Sequence, residues 1–387
     1  MLKKFHNKYQ KTIVNSALAA VLLIFTVFTL SGCFPTGEKD PVVSDDYSDK
    51  ETFEYEGENI SVSFDIPETP DNAPTRIKLK EKSFDADEMI ELFLDGKTIV
   101  EEETDRDYGL FWTTDGTYLG VNHGSNWISF FEGSVCRNGL GTSEGEPINH
   151  YIDLWNSREH FREVYGIGTE IEGFPSKSAI DRALELCSKL GITDLGEPNV
   201  YAFDLGVYEN YKDQGLDTSF IDWDIPFTKD NEVYILRFPQ TFGGIGLAEF
   251  NDASVKDSTA QYGKSKVRSP EVVVGVSRTD IFHFEVEEAY EAEYEIVSSE
   301  PIKYDLNYAL SELSAYFERS YFKKETKFTA AWIAYYPVER KEDGYIEYSL
   351  AWFFLGSSYD KQFDRQYMDS YDIVFLTDSG ARIDYSY

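Results

Sequence analysis

The chain has 387 residues, with 36 Lys and Arg against 70 Asp and Glu and a formal net charge of −34 at pH 7. A charge of that sign and size is repelled by nucleic acid and by anionic membrane surfaces, which excludes nucleic acid as a partner. Once the N-terminal segments are set aside, about 330 residues remain for folding, more than one core usually holds, so two or three units are expected.

Lys3, Lys4, Lys8 and Lys11 form a basic start, followed by an apolar stretch from Ile13 to Leu30 and then Leu30-Ser31-Gly32-Cys33. A basic n-region, an apolar h-region and small residues at its end are the marks of an export signal. The final tetrapeptide resembles the bacterial lipobox, in which the cysteine receives a diacylglycerol and becomes the first residue of the mature protein. Residues 1–32 are therefore read as a lipoprotein signal peptide and Cys33 as the lipidation site. Their removal takes away four lysines and no acid, moving the net charge from −34 to −38. Two or three acyl chains anchor a protein stably, at about 0.8 kcal/mol per buried methylene. The expected location is the outer face of the bacterial cytoplasmic membrane, with the bilayer held through the Cys33 lipid. Residues 33–55 are rich in Asp, Glu, Ser and Pro and poor in aliphatics, which suits a disordered acidic stalk.

Ile60, Val62, Phe64 and Ile66 alternate with polar residues as in a strand ending at Pro67. Asp85 to Asp95 reads as a short helix with Met89, Ile90, Phe93 and Leu94 on one face and Gly96 as its stop. Strand-like pieces follow at Gly109–Trp112, Tyr118–Val121 and Trp127–Phe131, so residues 56–170 are expected to form a β-rich first unit. Ser176 to Leu190 is an amphipathic helix between Pro175 and Gly191, with Ile180, Ala183, Leu184, Cys187 and Leu190 on its apolar face. Strands are expected at Val200–Asp204, Val233–Phe238, Val272–Val276 and Ile281–Val286. Asp305 then caps a helix whose face is Leu306, Ala309, Leu310, Leu313, Tyr316 and Phe317. More strands are expected at Phe328–Tyr336, Tyr345–Phe354, Ile373–Thr377 and Arg382–Tyr385. A helix followed by an antiparallel meander, occurring twice, predicts an α+β fold. The expected order is the β-rich N-terminal unit, then two tandem helix-plus-antiparallel-sheet units at 171–295 and 296–387.

The segments Tyr234-Ile-Leu-Arg-Phe-Pro-Gln with Gly243-Gly-Ile-Gly, Glu271-Val-Val-Val-Gly-Val-Ser through Phe282-His-Phe, and Ala331-Trp-Ile-Ala-Tyr-Tyr-Pro through Ala351-Trp-Phe-Phe carry a resemblance. With the lipobox and the acidic stalk, they look like lipoproteins of Gram-positive, clostridia-like bacteria and are similar to the extracellular YycH/YycI and PepSY-type domains. The resemblance covers about residues 175–387 and rests on hydrophobic patterns. It implies regulation of a neighbouring membrane protein, or inhibition of an extracellular enzyme, through protein contacts. YycH and YycI differ in being held by a transmembrane helix.

Catalytic and metal chemistry finds little support. Ser320-Tyr-Phe-Lys323 fits Ser-x-x-Lys, but it sits at a helix end whose basic residues suit the helix dipole. His123, His150, His160 and His283 are scattered, with no His-Glu-x-x-His, so no metal site is assigned. Thr104–Gly109 alternates two aspartates with a glycine but lacks the closing glutamate of a calcium loop, and Asp222-Trp-Asp224 is equally thin. Gly243-Gly244-Ile-Gly246 lacks the Lys and the βαβ setting of a phosphate loop and reads as a tight turn. Cys136 and Cys187 have the chance to pair outside the cell, although Cys187 falls on an apolar helix face.

Aromatic content is high, at 27 Tyr, 28 Phe and 6 Trp. Trp332 and Trp352 fall within strand patterns and read as core. Trp112, Trp127 and Trp223 stand in glycine- or acid-rich surroundings, where an apolar ring with a polar tip suits ligand contact. The expected function is that of an extracytoplasmic lipoprotein, non-catalytic and without a cofactor, that binds or regulates a protein or envelope partner. The alternative is a cell-surface carbohydrate-binding protein or hydrolase; a spacer-like role is a third.

Overall fold

The computed structural model describes residues 52–56, 60–70, 72–106, 108–122, 127–132, 170–207, 209, 228–248, 270–286, 288–319, 324–341, 343–360 and 365–386. Cys33, the export signal, Cys136, Trp223, Ser320, His123, His150 and His160 lie outside the described residues.

The first strands are β1 (Thr52–Glu56), β2 (Ile60–Asp65) and β3 (Arg76–Glu81), then come helix α1 (Ala86–Leu94) and β4 (Ile99–Thr104), β5 (Tyr108–Thr113), β6 (Tyr118–Asn122) and β7 (Trp127–Phe131). Helix α2 (Ser176–Lys189) leads to β8 (Asn199–Phe203), β9 (Val233–Pro239), β10 (Thr241–Phe242), β11 (Ile245–Gly246), β12 (Glu271–Ser277), β13 (Ile281–Val286) and β14 (Tyr290–Ser298). Helix α3 (Leu306–Arg319) precedes β15 (Lys324–Arg340), β16 (Tyr345–Asp360), β17 (Arg365–Leu376) and β18 (Arg382–Ser386). Residues 52–55, expected at the end of the stalk, thus belong with Glu56 to a strand, and its Phe53 is fully buried.

The helices form where capping and periodicity place them. Asp85 accepts the Glu88 amide at 3.1 Å, satisfying one of the amides that a helix start leaves unpaired, and Gly96 ends α1 at φ 72°. Pro175 gives α2 no side-chain cap; instead the Glu170 carboxylate accepts the Ser176 amide at 2.8 Å. Asp305 caps α3 by accepting the Tyr308 amide at 2.9 Å. Cys187 is a buried free thiol on the apolar face of α2, and burial pushes its pKa up to about 12.

Most strands pair far from their chain neighbours. One eight-stranded sheet has the order β4-β5-β6-β7-β13-β12-β9-β8. Its inner face carries Phe111, Leu119, Val121, Phe130, Phe284, Val274 and Leu236, and is covered by α1 and α2. The other eight-stranded sheet runs β1-β2-β15-β16-β17-β18, with β3 and β14 attached to β16. Strand β16 serves two neighbours along one edge: its first half bonds β3 and its second half bonds β17. Leu350 marks the changeover, its amide donating to Thr75 O at 2.9 Å while its carbonyl accepts the Thr377 amide at 2.9 Å. Arg76 bridges the branch, pairing with Glu347 at 2.9 Å and Asp378 at 2.7 Å.

This overturns the expected α+β arrangement of tandem units. Among the described residues there are eighteen strands and three α-helices of nine or more residues. Neither large sheet is contiguous in sequence. Strand β7 bonds β13 across more than 150 residues, and β3 bonds β16 across a longer gap. The chain also changes sheets repeatedly, between β3 and β4, and between β13 and β14. Hydrophobic periodicity shows which face of an element is apolar; it does not show which backbone will satisfy that element's amides and carbonyls. Pairing is decided by shared burial of faces, and here it joins the N-terminal strands to both sheets.

Candidate functional site

Strand alternation gives the first sheet two unlike faces. Register places Glu101, Trp112, Tyr118, Phe131, His283, Gly275, Ile235 and Tyr201 side by side in one cross-strand row on the face away from α1 and α2. Exposure falls along it. Glu101 is exposed, Trp112, Tyr118 and Phe131 are half-buried, and His283 and Ile235 are each 1% exposed.

The rings of the row touch in sequence. Trp112 and Tyr118 have centroids 5.5 Å apart, Tyr118 and Phe131 6.1 Å, and Phe131 and His283 4.5 Å. Trp127 joins them from the row beyond Gly120, where it pairs with Asn122. A Cβ built on Gly120 would stand 2.5 Å from both the Trp127 ring and the Tyr118 hydroxyl. Gly120 is therefore the gap into which Trp127 folds, a close-approach role for a strand glycine. Gly120→Val is expected to cost about 1–3 kcal/mol through overpacking. Tryptophan fluorescence and urea denaturation should report a displaced Trp127 and the lost stability.

The hairpin carrying these rings is fixed by its turn. Burial alone would push the Asp115 carboxyl up, but hydrogen bonds from Lys97 Nζ at 2.7 Å, from the Thr113 hydroxyl and from the Thr117 amide at 3.2 Å hold it well below the usual carboxylate range. Tyr108 donates to Glu103 Oε1 at 2.7 Å, a bond that raises the phenol's pKa. Glu101 and Glu103 share the open face with Trp112 and Leu110. The surface is thus a row of half-wet rings flanked by carboxylates on the edge strand.

Beside Phe131 lies His283, whose two ring nitrogens have no hydrogen-bond partner among the described residues. Its Nε2 is 3.6 Å from Glu285 Oε2, a neighbour that would favour protonation. Burial outweighs this and lowers the pKa to about 3, so the ring is neutral at physiological pH.

A second polar feature lies where β9, β10 and the residues after α2 meet β3 and β14. The Tyr290 and Tyr348 hydroxyls are 2.6 Å apart, and Tyr290 donates to Glu288 at 2.9 Å. Burial raises the pKa of both phenols, leaving a neutral and satisfied network. Next to it is a shallow cleft lined by Asp194, Gln240, Phe242, Glu291 and Tyr294, among others.

Of the residues singled out from sequence, Trp112 and Trp127 come together on one face; Cys33 and Trp223 lie outside the described residues. Trp352 is buried and Trp332 half-buried, stacked on Phe353 at 5.4 Å. Tyr118, Phe131, Glu101 and Glu103 were not singled out. The period-2 alternation of 108–113 and 118–122 marks their face, but only pairing shows that the faces adjoin. Of Thr104–Gly109, Thr104 ends β4 and Tyr108 and Gly109 begin β5, and the Asp105 amide donates to Tyr108 O at 2.9 Å. Gly243 and Gly244, at φ 57° and 82°, form the turn between β10 and β11, and nothing lies within 4 Å of a Cβ at either. Among the described residues, no three His, Cys, Asp or Glu side chains are grouped to hold a metal ion. Nor is any helix there long and apolar enough to cross a membrane.

No protein-family model matches the chain, and no curated protein matches it. Among solved structures it is similar to an uncharacterized protein from Eubacterium rectale, at 11% identity and a TM-score of 0.51. The match covers 86% of this chain and 93% of that one. At that identity the likeness establishes a shared fold alone.

Proposed function

We propose that this chain is a lipid-anchored lipoprotein on the outer face of the bacterial cytoplasmic membrane, non-catalytic, that binds or regulates a protein or envelope partner through the aromatic face of the first sheet. The observation that carries this reading is the contiguous Trp112–Tyr118–Phe131 row with Trp127 folded beside it. Tyrosine and tryptophan offer large contact area at low entropic cost, and their polar tips tolerate a half-wet surface. The lipobox ending at Cys33, the net charge of −34 and the likeness to YycH/YycI and PepSY-type domains support the location and the class of role. A carbohydrate of the cell surface is the second reading, favoured by Glu101 and Glu103 standing beside Trp112, since carboxylates accept hydrogen bonds from sugar hydroxyls while rings stack on sugar faces.

Two measurements test the parts separately. Cys33→Ala is expected to abolish incorporation of labelled palmitate and to release the protein from the membrane fraction; full retention would sink the lipid anchor. The full chain, incubated with isolated envelopes, is expected to be retained, and Trp112→Ala with Trp127→Ala to reduce retention about tenfold or more, as aromatic anchors of an interface do. Loss of retention after protease treatment of the envelopes identifies a protein partner, and competition by soluble cell-wall glycan identifies a carbohydrate. Unchanged retention of the double variant would reject the aromatic face as the binding surface.

A further inference from the structure

Strand β14 is an edge of the other sheet. It bonds β3 on one side, and among the described residues no strand bonds its other side. Register sets Tyr294 opposite Leu79 and Ile296 opposite Ile77. Leu79 and Ile77 are 4% and 0% exposed, whereas Tyr294 is 50% and Ile296 48% exposed, with Val297 at 39%. The apolar row of the core thus runs outward onto an uncovered strand. Proteins usually blunt such edges with lysine, proline or very short strands. This strand has neither Lys nor Pro; glutamates and two register shifts interrupt it, and Tyr294–Ile296 between the shifts stays in register as the run open to pairing.

Inboard of that row is the cleft lined by Asp194, Phe242 and Glu291. The Phe242 and Tyr294 rings meet edge to face at 4.7 Å. Glu291 in that lining already pairs with Lys80 Nζ at 3.0 Å.

We propose that β14 takes on an additional strand: an extended segment of a partner protein in which Lys or Arg alternates with β-branched apolar residues. The backbone of such a segment would occupy the strand's open amides and carbonyls, its apolar side chains would cover Tyr294 and Ile296, and its basic side chains would fall on the opposite face, beside the exposed Glu295. Charge argues for a basic partner and against a second copy. Each chain carries −34, so two copies repel one another. This surface lies on a different sheet from the aromatic row, so it goes beyond the reading above, and either can fail while the other stands.

The test uses the full chain in detergent and a labelled nine-residue peptide alternating lysine with valine and threonine, beside a control with glutamate at every lysine position. The lysine peptide is expected to bind about tenfold or more tightly than the control, and to slow amide exchange over residues 290–298. Ile296→Lys, at a half-exposed position, is expected to weaken binding about tenfold or more without moving the melting temperature, as an edge lysine blocks strand addition. Should that variant fail to fold, the exchange footprint on the unaltered protein decides. Protection falling elsewhere, or undiminished binding by a folded Ile296→Lys, would mean diffuse attraction to an acidic surface and would overturn the proposal. So would absence of binding, or a dimer of this chain protected at 290–298.

Discussion

Trp352→Ala is expected to destabilise the protein by about 3–5 kcal/mol, the range for removing a large aromatic side chain from a packed core. Trp352 is 1% exposed and stands between Ile333 and Phe375 across the strands on either side. Phe354 and Phe375, whose rings are 5.8 Å apart, belong to the same face. The loss is more than volume. Trp352 Nε1 donates to Tyr304 O at 3.2 Å, and the Lys303 and Tyr304 amides donate to Thr377 O at 3.2 and 3.0 Å. These bonds fix the chain just before Asp305 caps α3, whose Ala309, Leu310 and Leu313 are buried. Urea denaturation measures the free energy, and amide exchange should show α3 opening more readily than the first sheet. Trp352→Phe keeps most of the apolar surface and removes the indole donor, so its loss should be clearly smaller. A loss below about 1 kcal/mol for the alanine variant would mean the site relaxes around the gap and does not hold α3.

The second large effect is acid sensitivity at His283. Its pKa is near 6.5 when unfolded and is lowered to about 3 when folded, because burial disfavours the imidazolium. The unfolded chain therefore binds the extra proton first as pH falls. Stability from this group is complete above pH 6.5 and is lost as pH drops from there towards 3. The span corresponds to at most about 4–5 kcal/mol, at 1.36 kcal/mol per pKa unit. Carboxylates elsewhere also titrate in the lower part of this window, so the informative quantity is the difference between proteins. His283→Leu removes two buried nitrogens that lack partners among the described residues and fills a similar space beside Phe131. It is expected to be neutral or stabilising at pH 7, and less sensitive between pH 6 and 4 than the unaltered protein. Denaturation curves measured across that range check both; parallel pH profiles would show that His283 is not held neutral.

How much of this was legible in advance differs by level. Asp85, Pro175 and Asp305 marked the starts of the three α-helices among the described residues, and Gly96 and Gly191 the ends of two, because caps and stops act within one turn of chain. The alternation of Ile346, Tyr348, Leu350, Trp352 and Phe354 marked a buried strand face, and all five are at most 1% exposed. Strand β3 was missed, since only Ile77 and Leu79 interrupt its Arg, Lys and Glu. Yet that strand ties β14 to β16 and makes the outer edge possible. At the candidate site, Trp112 and Trp127 stood out as individual residues. Their common surface depended on Gly120, Tyr118 and Phe131 being brought between and beside them by two hairpins.

By itself the sequence determined the local matters: helix ends, strand faces, a strongly acidic composition, and the lipobox pattern at Cys33 that motivates the anchor. Each depends on residues within a few positions of one another, or on composition alone. Only the tertiary structure decided the sheets. It replaced the expected α+β series of tandem units with two large sheets threaded through each other's sequence, because backbone amides and carbonyls take partners wherever apolar faces can be buried together. The aromatic row, the buried His283 and the uncovered edge of β14 are all products of that pairing.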